Sequence, residues 1–192
     1  MDITFIRHGH AEHLLNYPKE LNRLHPGLTE QGKKQIVALR KNIKIMPHDT
    51  ILISPTKRTL ETVELLMTNE HNGAVIVISP LVGPRMYPQD PKFAPLGCDQ
   101  IYSMAELSLL YPDKQYIDVG LEAWEESINQ MNTQQFTRLA EQLLAWCRKQ
   151  TGHTFIVSHD GTIMNYRMLL GEHDLTRDDF LGEAGYYTVR DV

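Results

Sequence analysis

Four short runs of β-branched and aliphatic residues recur along the chain: Ile3–Ile6, Thr50–Ile53, Ala74–Ile78 and Thr154–Val157. Each is continuously apolar rather than alternating, the pattern of strands covered on both faces in a parallel sheet. Helical periodicity lies between them. Thr29 is a good N-cap, and a first helix starting there presents Ile36, Leu39 and Ile43 inward. A second helix is predicted from about Pro55, with Leu60, Val63 and Met67 on one face. The clearest helix runs from Thr133 to Gln150, where Phe136, Leu139, Ala140, Leu143 and Cys147 form one stripe and Gly152 follows as a stop signal. A last strand is expected at Tyr186–Val189. Strands alternating with helices predict a three-layer α/β/α sandwich with a mostly parallel central sheet.

Between Ile78 and Cys98 the pattern breaks. Pro80, Pro84, Pro88, Pro91 and Pro95 are half of the chain's ten prolines. Proline at that density excludes a regular helix or a central strand, so an extended ordered loop or lid is expected. Short helices are predicted further on, around Ala105–Leu110 and Glu122–Glu126. Residues 79–130 thus read as an insertion over the strand ends, within a single domain spanning residues 1–192.

Charge narrows the partners. Lys and Arg number 19 against 24 Asp and Glu, a net charge of -5, which argues against a nucleic-acid partner. The longest apolar runs, such as Ala74–Ile78, fall far short of the roughly 20 residues that span a bilayer. The first residues carry no basic leader with an apolar segment of secretory length, so a cytoplasmic location is expected. Cys98 and Cys147 make neither a disulfide framework nor a metal spacing. Nothing in the pattern reads out an oligomeric state.

The polar residues that follow the strands carry the chemistry. Arg7-His8-Gly9 comes directly after the first, Ser54-Pro55 and Arg58 after the second, and Ser158-His159-Asp160-Gly161 after the fourth. In an open parallel sheet these turns emerge at the carboxyl ends of the strands, where ligands bind. Two arginines and two histidines from distant parts of the chain are therefore expected in one pocket. Guanidinium forks match a phosphoryl group, and a neutral imidazole nitrogen is a competent nucleophile. Helix N-termini beside the pocket add partial positive charge. Such a set supplies positioning and charge stabilisation to a small phosphorylated substrate without a metal or other cofactor.

These three elements, in this order, resemble the histidine phosphatase superfamily, which contains phosphoglycerate mutases and many small phosphatases. Leu28-Thr29-Glu30-Gln31-Gly32 also resembles the superfamily's usual Leu-Thr-x-x-Gly. The resemblance implies a phosphoglycerate mutase-like fold and a metal-independent phosphatase. It also implies a phosphohistidine on His8, with Arg7, Arg58 and His159 holding the phosphoryl group. Hydrolysis is expected over mutase transfer, because classical mutases of the superfamily carry longer insertions.

The chain departs from the family pattern in two places. His10 and Ala11 stand where the family usually has Glu or Gln and then Thr or Ser. The small-phosphatase branch also places a glutamate after the third strand to protonate the leaving group, but Ser79–Gln89 contains no acid and offers Arg85. Asp160 is the leading substitute, as the phytase-like branch uses a similar His-Asp pair; a helix cap is its alternative role. Asp90 and Glu106 are weaker candidates. Arg85 is read as an extra phosphate contact or a solvated loop residue. Met86, Tyr87, Phe93, Tyr102 and Met104 are candidates to line a substrate pocket.

Two rivals remain. His8, His10 and His13, with Glu12 between, resemble the zinc ligands of metallo-β-lactamase-type hydrolases. That motif normally follows several strands of a β-sandwich, whereas one strand precedes it here, and it leaves Arg7 and Arg58 unexplained. A non-catalytic phospho-ligand binder would use the same arginines and histidines without turnover.

Overall fold

The predicted apolar runs are strands in the computed structural model, which describes residues 1–67, 73–90, 92 and 94–192. In chain order the elements are β1 (Ile3–Arg7), α1 (Glu30–Leu39), β2 (Thr50–Ile53), α2 (Lys57–Met67), β3 (Val75–Ile78), α3 (Met104–Leu110), β4 (Gln115–Tyr116), α4 (Thr133–Cys147), β5 (Thr154–Ser158), α5 (Asp160–Leu169) and β6 (Tyr186–Val189). They make a six-stranded sheet in the order β4-β3-β2-β5-β1-β6, with β6 alone antiparallel to its neighbour. Among the described residues, no helix is long and apolar enough to cross a membrane.

Side-chain alternation divides the core into two layers. Ile3, Phe5, Leu52, Val77 and Ile156 face Phe136, Leu139, Leu143, Ile163 and Tyr166 of α4 and α5. Ile6, Ile51, Ile53, Ile78, Phe155 and Val157 face Ile36 and Leu39 of α1 and Leu60, Val63 and Leu66 of α2. The fold is therefore a three-layer α/β/α sandwich, as the pattern predicts. Strand order then positions the site. β5 fills the place between β1 and β2, so Arg7 lies opposite Ser158 and Ile53 opposite Val157. The N–H groups of His8 and Ser54 donate to the carbonyls of Ser158 and Val157, which draws the three polar turns together.

Element ends differ in detail from the sequence reading. Thr29 caps α1 through Gly32 N–H, but Ile43 lies beyond the helix end, packed against the same core. α2 begins at Lys57 rather than at Pro55, and α4 ends at Cys147, three residues before Gln150. Residues 79–130 do not lie wholly over the strand ends: Gln115 and Tyr116 pair with Val77 and Ile78 and extend the sheet. Two paired residues are too short for a periodicity signal. Pro80–Val82 and Gly97–Asp99 are 3₁₀ turns within the proline-rich stretch, of which Pro91 and the neighbouring Phe93 lie outside the described residues.

The Leu-Thr-x-x-Gly segment has a steric cause. Thr29 N–H donates to His10 O, and Thr29 Oγ1 lies 2.8 Å from His10 Nδ1, so the turn after β1 lies directly on the start of α1. A Cβ at Gly32 would stand 2.0 Å from His10 O, and one at Gly9 would stand 2.8 Å from Gly32 O. The close backbone crossing requires glycine on both sides. Helix propensity alone would make Gly32→Ala stabilising by about 1 kcal/mol. The expected outcome is the opposite: a loss of about 1–3 kcal/mol from overpacking, read as a thermal midpoint lower by about 2–12 °C.

Candidate active site

Arg58 sits at the centre of the site, 2% exposed. Its Nε donates to His8 Nε2 at 3.2 Å, its Nη2 to His159 Nδ1 at 3.1 Å and its Nη1 to the Cys98 carbonyl at 2.9 Å. A guanidinium only donates, so both imidazole nitrogens facing it carry lone pairs. His8 Nδ1–H then donates to Gly9 O at 2.8 Å, and His159 Nε2–H to Ser54 Oγ at 2.8 Å. The two rings lie 5.2 Å apart, centroid to centroid. Burial, followed by the charge of Arg58, holds both histidines well below the usual imidazole pKa, so both are neutral near pH 7. Burial also pushes Arg58 down to about 10, which leaves it charged.

Arg7 enters from the end of β1. Its Nη1 donates to Leu181 O at 2.6 Å, and its Nη2 lies 3.0 Å from Asp160 Oδ2. Arg7, His8, Arg58, His159 and Asp160, with His13 and Asp99, line a cavity of about 490 Å³. Three buried nitrogens of cavity-lining residues, Arg7 Nε, His13 Nδ1 and Arg85 Nη2, have no partner among the described residues. Buried polar atoms without partners are rare, and here they belong to residues lining the cavity that would hold an anion. A second cavity of about 440 Å³, beside the starts of β3 and β4, is lined by Glu64, Ile76 and Lys114 but by no histidine or arginine.

Residues 3–81, which include Arg7-His8-Gly9 and Arg58, match the family model of the histidine phosphatase superfamily (branch 1). Over those residues the chain is similar to that superfamily. Similar solved structures extend the likeness to the whole fold. One is an Escherichia coli protein described as a putative alpha-ribazole-5'-P phosphatase, with 16% identity, TM-score 0.60, and coverage of 98% of this chain and 89% of that one. Another is the ecdysone phosphate phosphatase from Bombix mori, with 13% identity, TM-score 0.60, and coverage of 98% and 88%. A phosphoserine phosphatase from Entamoeba histolytica has 18% identity, TM-score 0.56, and coverage of 97% and 89%. No curated protein matches the chain in sequence.

Against this superfamily pattern, Arg7, His8, Arg58, His159 and Asp160 converge on one cavity. Arg58 is not paired with Glu61, which instead accepts from Leu28 N–H and lies 3.9 Å from Lys57 Nζ. Arg85 is buried rather than a solvated loop residue. It borders the cavity, but its Nη1 donates to the carbonyls of Ile128 and Met131, and its guanidinium stacks 4.3 Å over Phe136. The side chain thereby ties its loop to Ile128, Met131 and α4. Asp160 begins α5, pairs with Arg7 and accepts from Gly161 N–H at 2.7 Å. Both of its oxygens thus act as acceptors, a poor arrangement for giving a proton and a good one for aiming Arg7.

Other candidates lie elsewhere. Asp90 accepts from Lys92 N–H, Glu106 closes a capping box with Ser103, and neither lines the cavity. Met86 and Tyr87 do line it; Tyr102 instead stacks on His25 at 4.1 Å, and Met104 opens α3 on the surface. The zinc-type histidines do not converge, because His10 is turned to Thr29. Among the described residues, no cluster of His, Cys, Asp or Glu could hold a metal ion. The sequence reading assigned His13 only to that rival and missed Asp99 altogether. His13 carries a usable signal, five residues after His8 in the same turn; Asp99 carries none.

Burial, then the charges of Arg58 and Arg7, lowers His13 to about 3. Unfolded His13 takes up a proton below about pH 6.5, whereas the folded protein keeps it neutral down to about 3. Stability therefore falls with falling pH across that window, with up to about 1.4 kcal/mol per pH unit from this residue. Thermal melts from pH 7 to pH 5 should show a smaller drop for His13→Gln than for wild type.

Proposed function

We propose that this chain hydrolyses small phosphate monoesters through a phosphohistidine on His8. The observation that carries the reading is the Arg58 fork. It leaves an unprotonated Nε2 on His8 at the cavity, beside the two guanidinium groups that suit a phosphoryl dianion. In this reading, His8 Nε2 attacks phosphorus, the bond to the ester oxygen breaks, and an alcohol leaves. Water then attacks the phosphohistidine, the P–N bond breaks, and inorganic phosphate is released. Arg7 and Arg58 neutralise the charge on the transferring group, which is most of what phosphoryl transfer requires. Asp160 aims Arg7. Ser54 and Arg58 fix the ring of His159 on the other side of the phosphoryl site.

Hydrolysis of an aryl phosphate is expected to persist in excess EDTA. His8→Ala should abolish both turnover and the acid-labile phosphoenzyme. Full activity in that variant would overturn the nucleophile assignment, and activity lost in EDTA but restored by zinc would favour the histidine-cluster hydrolase. Phosphate binding without turnover across a panel of esters would identify a non-catalytic binder.

A further inference from the structure

We infer that Asp99, on the 3₁₀ turn Gly97–Asp99, is the proton donor to the leaving group and the base that activates water in the second step. This rests on the phosphohistidine reading above and assigns the one function that its residues leave unfilled.

Placement comes first. Arg58 links His8 Nε2 to the Cys98 carbonyl, so Asp99 follows directly in the chain from a group bonded to the guanidinium that holds the nucleophile. Asp99 lines the same cavity as His8, Arg58 and His159. The turn is held in place sterically, since a Cβ at Gly97 would stand 2.2 Å from Asn22 O.

The partners of the carboxyl group come next. Asn129 Oδ1 accepts from Met86 N–H at 2.7 Å, which orients the amide so that Nδ2 donates to Asp99 Oδ2 at 3.3 Å. Asp99 Oδ1 accepts from the Cys98 thiol at 3.9 Å, and the Leu96 N–H also bonds the carboxyl group. No Lys, Arg or His forms an ion pair with Asp99 among the described residues, in contrast to Asp160 and its arginine. The carboxyl group is thus held by neutral donors, with no ion pair to a cation. Burial favours the protonated form and raises Asp99 from the ordinary aspartate value, while Arg58 and the Leu96 N–H pull against it. A carboxyl group held by neutral donors beside a nucleophile is placed to act as a general acid.

The proton balance closes. As His8 Nε2 bonds to phosphorus, the electron pair of the breaking P–O bond goes to the ester oxygen, which takes the Asp99 proton and leaves as a neutral alcohol. Asp99 carboxylate then takes a proton from water as that water attacks the phosphohistidine. The P–N pair returns to His8, and the original state is restored.

The test compares Asp99→Asn with wild type on benzyl phosphate, a poor leaving group, and on p-nitrophenyl phosphate, a good one. Benzyl phosphate turnover should fall about 10²–10⁴-fold. With p-nitrophenyl phosphate, one equivalent of p-nitrophenolate should still be released in a burst, followed by slow turnover and accumulated phosphohistidine. Asp160→Asn should raise KM on both esters alike, without a burst. Wild-type rates for Asp99→Asn on benzyl phosphate, or an equal loss on both esters with no burst, would overturn the assignment. Wild-type protein that forms no phosphohistidine and turns over neither ester would overturn the underlying reading and this inference together. Should thermal melts show Asp99→Asn unfolded, Asp99→Glu carries the test: benzyl phosphate turnover within about tenfold of wild type supports the role, and equal loss on both esters refutes it.

Discussion

A guanidinium buried beneath strand ends must find a partner for every N–H it can, and Arg58 finds them in two imidazoles and a carbonyl. That requirement fixes the tautomer of His8, the tautomer of His159 and the position of the 97–99 turn together. The same contacts place a permanent positive charge where a phosphoryl group would sit. Burying a cation without a carboxylate is costly. The fold accepts the cost by surrounding Arg58 with neutral acceptors, and a dianion entering the cavity would supply the missing charge.

The backbone around the site is as constrained as its side chains. β5 brings the turns after β1 and β2 to either side of Ser158, and α1 begins so close to His10 that only glycine fits at position 32. The Arg7-His8-Gly9 turn is therefore gripped by the sheet on one side and by a helix start on the other. A side chain held in this way has little entropy left to lose when it engages a ligand. Asp160 and Asp99 are held differently, one paired with Arg7 and the other bonded by the Asn129 amide.

Much of the fold was legible because its signals are local. Continuous apolar runs marked β1, β2, β3 and β5, and the 3.6-residue stripe marked α4. The convergence of Arg7, His8, Arg58 and His159 could also be read, because a parallel sheet brings all strand ends to one side. β4 was not legible, since two residues carry no period. The inward turn of Arg85 was hidden as well, because its partners Ile128, Met131 and Phe136 lie more than forty residues away in the chain.

By itself the sequence determined the layer architecture, the strand ends that carry chemistry and the cationic character of the pocket. Each follows from periodicity or from residue type at a fixed offset from a strand. Only the tertiary structure decided which groups are charged and which are merely polar. Burial and the charge of Arg58 keep His8, His13 and His159 neutral, Arg7 takes Asp160 as its partner, and the insertion delivers Asp99 to the cavity without an ion pair. Protonation state depends on desolvation and on neighbours distant in sequence, and neither is written in a local pattern.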